Sequence, residues 1–328
     1  MTSGISSLQA GILRELLVDG RKSASEIAEK IGTSKDTVQA NISEMKQNGI
    51  IQGATIHFNY RGFGYFAVAY MLVTVDPAQA DQMIEHARKM PDIYAAIKLG
   101  QKGNLRVVAT LRTLKQLDEI KDALKQKFSI SSLKTVIWTD VKEMHENLRL
   151  YQEEEHPKKT EKEEVKQVLS KRPESKGKFD EVDFKIIDEL SKDGLVSFSD
   201  IAERIGVSSN TVKKRYENLT KKGMIKVTIQ IDPAKAGYRA LAIFFVTFTL
   251  HVDTRSMVER ISQIPDVISI MKTSGDYDLQ VYVMVRDINQ LFSLQDEFDE
   301  IAGVAKVEMD LDKLLNKWPT PRQYISTF

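Results

Sequence analysis

IIDELSKDGLVSFSDIAERIGVSSNTV, residues 186–212, has a counterpart 174 positions earlier, ILRELLVDGRKSASEIAEKIGTSKDTV, residues 12–38. Over residues 12–51 against 186–225, 17 of 40 positions are identical. The same offset aligns MPDIYAAIK (90–98) with IPDVISIMK (264–272). One unit of roughly 140–150 residues is therefore written twice, whereas a solenoid needs three or more repeats to bury a continuous core.

Periodicity changes partway through each unit. In the second, helices are predicted over 182–192, 199–205 and 208–222, with Ser199 and Ser208 as N-caps and Gly206 and Gly223 where helices stop. Strand 240–251, helix 254–263, strands 266–273 and 279–286, helix 287–300 and strand 303–311 then give the order βαββαβ, a ferredoxin-like arrangement. The predicted fold class is α+β: two repeats, each a winged or trihelical helix-turn-helix followed by a ferredoxin-like domain. The expected domains are 1–55 and 56–150, then 179–229 and 230–328.

A sheet with helices on one face only should alternate apolar and polar residues. ALAIFFVTF (240–248) and LQVYVMV (279–285) are apolar on nearly both faces. The other copy's sheet is the economical cover, which predicts an intramolecular pseudo-dimer. Between the copies, residues 151–178 are charged and broken by Pro157 and Pro173, so a mobile linker is expected there. A coil of that length has its ends ~30 Å apart, enough for pairing within one chain. Within it, 161–170 has the charge pattern of a helix.

With 42% hydrophobic and 28% charged residues in 328, the composition is that of an ordinary globular protein. Zero cysteines exclude disulfides and thiolate sites, so a reducing, cytoplasmic setting is expected. The N-terminus lacks the basic start and apolar core of a signal peptide, and the longest apolar run, 241–246, is too short to cross a bilayer. No membrane association is expected. The net charge of +1 decides nothing about nucleic acid, because local distribution matters.

Local distribution is informative over 197–225. Ile201, Ala202 and Ile205 make the inner face of a short helix, Gly206 turns the chain, and Val212, Tyr216 and Leu219 face inward from a second helix. Ala202 permits the two helices to cross closely. The outer face carries Ser208, Ser209, Asn210, Thr211, Lys213, Lys214 and Arg215: hydrogen-bonding groups for base edges near the N-terminus, then cations for phosphates. Five Lys or Arg stand against one acid between 208 and 222. The bland alternative is a solvated basic face. In the first copy the matching positions are Ser34, Lys35, Thr37, Gln39 and Asn41, and Gln39, Ala40 and Asn41 replace the three cations. That half should bind DNA more weakly, with Arg21 and Lys22 as candidate backbone contacts.

The pattern DG, S, IA, IG, S, then DP, GY, PDV and SGDYD resembles the Lrp/AsnC (leucine-responsive, feast/famine) transcriptional regulators. Its residues are Asp193-Gly194, Ser199, Ile201-Ala202, Ile205-Gly206, Asp232-Pro233, Gly237-Tyr238, Pro265-Asp266-Val267 and Gly275-Asp276-Tyr277-Asp278. The first copy matches through Ile51 and again at Gly64-Tyr65 and Pro91-Asp92. The resemblance implies a tandem fusion of a normally dimeric unit and binding of double-stranded DNA. It also implies that the ferredoxin-like (RAM-type) domain takes a small effector such as an amino acid, and that chains assemble into homo-oligomers. The loop Gly275, Asp276, Tyr277 and Asp278 is the implied effector-binding segment, and Asp276 or Asp278 suits an α-ammonium group. Glycine and aspartate are also what a tight hairpin requires. In the first copy Gln101-Lys102-Gly103-Asn104 keeps the turn and loses both acids, so effector response is expected of the second copy only.

Siroheme decarboxylases share a similar fold as paired units, so an enzyme is the alternative, beside a sensor that does not bind DNA. A His-Asn-Tyr style segment expected of that family is absent, because 93–104 and 267–278 contain no histidine. The five histidines, His57, His86, His145, His156 and His251, are scattered without metal or acid/base spacing. No enzyme activity, cofactor or metal site is expected.

Overall fold

A computed structural model describes residues 4–100, 103–151 and 179–320. Most of the expected linker, with its candidate helix at 161–170, and Gln101 and Lys102 lie outside the described residues.

The first unit runs α1 (Ser7–Val18), α2 (Ala24–Ile31), α3 (Lys35–Gln47), β1 (Ile51–Phe58), β2 (Ala67–Val75), α4 (Ala80–Arg88), β3 (Ile93–Lys98), β4 (Asn104–Leu111), α5 (Leu114–Lys127) and β5 (Ile130–Glu143). The second repeats the order as α6 (Glu181–Lys192), α7 (Phe198–Ile205), α8 (Ser209–Lys221), β6 (Ile225–Ile231), β7 (Ala240–Phe248), α9 (Thr254–Ile261), β8 (Val267–Ser274), β9 (Leu279–Val285), α10 (Ile288–Asp299) and β10 (Val304–Lys313). Short 3-10 turns follow β5 (His145–Asn147) and β6 (Pro233–Ala236).

Local sequence explains the helix ends. Ser208 caps α8 by accepting from Thr211 N at 3.0 Å. Gly206 ends α7 at φ 75°, in the left-handed region that glycine enters without steric cost. The cap of α7 is Ser197, not the expected Ser199: Ser197 Oγ accepts from Asp200 N, while Ser199 sits inside the first turn with its hydroxyl 2.9 Å from that of Ser197. Two serines precede the same apolar stripe, and only the earlier one has an orphan N–H three residues ahead.

β1 and β6 form an antiparallel two-stranded ribbon joining the units. Thr55 faces Thr228, while Ala54 faces Ile229 and Ile56 faces Val227, so a pseudo-twofold axis passes through the threonine pair. Each ribbon strand supports the other unit's first helix. Gly20 N donates to Val227 O at 2.9 Å, and Gly194 N to Ala54 O at 3.1 Å. A Cβ on Gly20 would come 3.0 Å from the backbone of Thr228, and one on Gly194 2.9 Å from Thr55 O. This crossed approach is why both copies need glycine there.

The eight remaining strands make one sheet, ordered β10-β7-β9-β8-β5-β2-β4-β3. Each half has the ferredoxin-like order. They are joined edge to edge because β5 continues past β2 and pairs with β8, from Ile137 against Ser274 to Glu143 against Ser269. Two separate sheets were expected, and a long-range edge pairing of this kind leaves no local signal.

The two-faced apolarity is accounted for. One face of β7 and β9, with Phe244, Val281 and Val283, packs on α9 and α10, where Phe244 and Phe298 stack at 4.5 Å. Burying one such side chain stabilises by about 1.5–3 kcal/mol. The opposite face, with Ile243, Phe245 and Tyr282, joins Val68, Tyr70 and Trp138 of the first unit in a shared core. Trp138 Nε1 donates to Gln280 Oε1 at 2.7 Å, and Arg106 pairs with Asp312 across the halves. The pseudo-dimer is thus built inside one chain.

Matching polar networks brace both halves. Tyr65 donates to Asp92 at 2.8 Å and Tyr238 to Asp266 at 2.5 Å, with Arg112 and Arg286 over the tyrosine rings at 4.2 and 4.3 Å. Both aspartates have left-handed backbones, φ 63° and 66°, and the Pro-Asp motif is accounted for by this internal bracing.

Candidate nucleic-acid interface

The two-helix segment of the second unit is built as its pattern implies. Ile201 and Ala202 are buried on α7, and Val212 and Leu219 on α8. Ser208, Ser209, Asn210, Lys213 and Lys214 are exposed together along one side of α8, with Thr211 half-buried by its bond to the cap. Lys213 Nζ lies 3.9 Å from Glu217, one turn further along α8.

Arg215 does not join that face. Its guanidinium reaches Asp180 Oδ2 at 2.8 Å and Asp183 Oδ2 at 3.1 Å, tying α8 to the start of α6. The Asp183 backbone N–H and then Arg215 hold the Asp180 carboxyl below its usual range. Expected as a phosphate contact, Arg215 is instead committed to two carboxylates.

In the first unit Ser34 caps α3, and Lys35 and Gln39 are exposed, with Thr37 half-buried. Asn41 turns its amide back onto Thr37 O at 2.8 Å. Arg21 and Lys22, candidate backbone contacts, are both engaged within the protein. Lys22 pairs with Glu15. Arg21 Nε and Nη2 donate to Gly194 O and Val196 O at 3.0 and 2.6 Å, and the guanidinium lies over the Phe198 and Tyr216 rings at 4.7 and 5.2 Å. Burial lowers its pKa from the ordinary arginine value. The sequence does carry a signal for this contact. Arg21 stands where the second unit has Leu195, and Phe198 and Tyr216 where the first has Ala24 and Ile42.

The acidic hairpin divides its labour. Asp278 Oδ2 accepts from Phe248 N at 2.7 Å, and Asp278 N donates to Val246 O at 2.9 Å, so this residue anchors the turn to β7. Tyr277 donates to Glu308 at 2.7 Å, and burial together with that bond pushes its phenol up to about 12. Gly275, at φ 134°, and Asp276 are exposed. In the first unit Asn104 Oδ1 accepts from Thr74 Oγ1 at 3.0 Å, so a short polar side chain again meets the β2 strand end.

The histidines are not all scattered in space. His57, Glu143 and His145 each place a ligand-type atom within 4.8 Å of the others. Residues 57 and 145 lie too far apart in sequence for a spacing rule to link them, and the expectation of no metal-like grouping is corrected on that point.

Comparison with known proteins supports the same assignment. Winged helix-turn-helix DNA-binding domains match at residues 7–52 and again at 179–226, and the Lrp/AsnC ligand binding domain matches at 241–311. An HTH-type transcriptional regulator of Pyrococcus abyssi is 32% identical over 152 residues, covering 45% of this chain and 95% of the relative. The chain belongs to the Lrp/AsnC family of helix-turn-helix transcriptional regulators. LrpA of Pyrococcus horikoshii is 35% identical over 135 residues, 39% of this chain and 92% of that protein. Each relative spans less than half of the chain, as a single unit would. Over nearly the whole chain the fold is similar to that of the siroheme decarboxylase NirDL, with a TM-score of 0.58 at 13% identity and coverage of 96% and 94%. That likeness concerns the fold. The function of the present chain is that of a regulator with DNA-binding and ligand-binding domains.

Proposed function

We propose that this regulator reads double-stranded DNA chiefly with α8, through Ser209 and Asn210 at base edges and Lys213 and Lys214 at phosphates. The observation that carries this reading is the exposed run of those four side chains behind a capped N-terminus, with the neighbouring cation Arg215 held away. The first unit's helix, with Ser34, Lys35, Thr37 and Gln39, makes the lesser contact because it lacks the paired lysines. Two unequal readers on one chain favour an asymmetric operator.

We also assign a small-molecule effector, with an amino acid as the natural class, to the second unit near Asp276, whose carboxylate is exposed beside a loop glycine. The division at 1–55, 56–150, 179–229 and 230–328 is retained as the domain scheme. Further assembly of chains, a cytoplasmic location and the absence of enzymatic activity belong to the same reading. Among the described residues no helix is long and apolar enough to cross a membrane.

The test is fluorescence-anisotropy titration of duplex DNA at several salt concentrations, comparing the intact chain with Lys213→Ala/Lys214→Ala. Removing two phosphate contacts lowers the slope of log K against log salt by about 1.8. An unchanged slope refutes the role of α8, and no binding by the intact chain at low salt refutes the reading as a whole.

A further inference from the structure

Three residues from two distant parts of the first unit meet at the ribbon. His57 is on β1, Glu143 is the last residue of β5, and His145 opens the 3-10 turn that follows. His57 Nδ1 lies 2.9 Å from Glu143 Oε2, and the two imidazoles are 4.5 Å apart between ring centroids at 48°. The Trp318 ring closes the far side of His145, edge-on at 4.7 Å. Both histidines are buried, and the Glu143 side chain is only 13% exposed.

We propose that His57, Glu143 and His145 bind one divalent transition-metal ion of the zinc class. Two imidazoles, borderline donors, with one carboxylate form a set that suits Zn²⁺, Co²⁺ or Ni²⁺, whereas Mg²⁺ and Ca²⁺ favour all-oxygen sets. Ligand atoms around a tetrahedral ion of this class sit about 3.3–3.5 Å apart. Three atoms already within 4.8 Å reach that spacing by small side-chain rotations. The fourth position falls to water.

The alternative is a buried ion pair that merely fills the core, and the repeat provides an internal comparison. The ribbon register equates Thr55 with Thr228 and hence His57 with Gln230, because Gly53 faces Gln230 where Lys226 faces His57. At the repeat offset, Glu143 and His145 correspond to Lys317 and Pro319. There Gln230 Nε2 donates to Pro319 O at 2.6 Å, so an amide and a carbonyl meet the same structural need with no ligand set. The duplicated fold therefore does not require two histidines and a carboxylate at this point; only one half has them. An ion bound there ties β1, whose Thr55 region supports Gly194 of the second reading head, to the end of the shared sheet.

The experiment uses the full chain without a polyhistidine tag, stripped with chelator and dialysed. It is titrated with Zn²⁺ against a chromophoric competitor and separately with Co²⁺, followed by visible ligand-field absorption. One ion per chain is expected for the intact protein and for His251→Gln, an exposed histidine elsewhere. His57→Gln, which copies the second unit, and Glu143→Gln are expected to weaken binding by at least about tenfold and to abolish the Co²⁺ bands. Circular dichroism establishes that each variant is folded; should His57→Gln fail to fold, Glu143→Gln decides. Sub-stoichiometric metal in the intact chain, or unchanged affinity in the folded variants, overturns the proposal and leaves a core ion pair. Because the readout is metal content without DNA, its failure is separate from failure of the DNA reading.

Discussion

Replacing Arg21 with alanine removes a side-chain connection between the two helix-turn-helix units. Two hydrogen bonds from a charged guanidinium go with it, to Gly194 O and Val196 O, together with the stacking on Phe198 and Tyr216. A buried bond to a charged group is worth about 1.5–3 kcal/mol. Arg21 is only partly buried and both carbonyls regain water in the variant, so about 1 kcal/mol each is the appropriate scale, and the ring contacts add about 0.5–1 kcal/mol. The sum, about 2.5–3 kcal/mol, corresponds to a fall of roughly 1 M in the urea midpoint at a slope of about 2–3 kcal/mol per M. Urea unfolding followed by circular dichroism measures it. Arg21→Lys should recover little, because a lysine cannot form both bonds or stack as a planar fork does. DNA titration of Arg21→Ala at several salt concentrations should return the intact slope. An unaltered urea midpoint together with a slope reduced by about 0.9 would refute this reasoning, since it would place Arg21 on a phosphate.

The hairpin and the Arg215 cluster give further tests. Asp278→Ala should destabilise by about 1 kcal/mol by orphaning Phe248 N, while Asp276→Ala leaves the melting temperature unchanged; thermal denaturation of both checks this. If an amino acid binds at the loop, a thermal-shift screen should show stabilisation of the intact chain that Asp276→Ala loses. Asp180 is held below its usual range when folded, so its contribution is complete above the unfolded carboxylate pKa of about 4 and is lost as pH falls through the folded value. Arg215→Ala moves that value back up. The stability gap between the intact chain and Arg215→Ala should therefore shrink as pH falls below about 4, measurable by urea titration from pH 7 to 3.

Much of the second unit was legible because its signals are local. Gly206, Ser208 and the continuous apolar runs of 240–248 and 279–285 placed α7, α8 and the strands from β7 to β10 within a few residues of their ends. The apolar second face of β7 and β9 also forecast the shared core correctly. What escaped depends on partners distant in sequence. Nothing within β5 says that its end, from Ile137 to Glu143, pairs with β8. Arg21, Lys22 and Arg215 counted as cations for phosphate because a charge count does not see Glu15, Asp180, Asp183 or a carbonyl on another helix. His57 and His145 likewise became neighbours only through the ribbon.

The central claim is that one chain carries two unequal DNA readers, with α8 the stronger. Selection of binding sites from a pool of random duplexes tests it most directly, using the intact chain and sequencing the enriched pool. The account predicts an asymmetric site with one half-site more strongly constrained than the other, and loss of that half-site's enrichment in Lys213→Ala/Lys214→Ala. Enrichment of clean palindromes with equal half-sites would contradict the unequal readers, and no enrichment at all would contradict sequence-specific recognition.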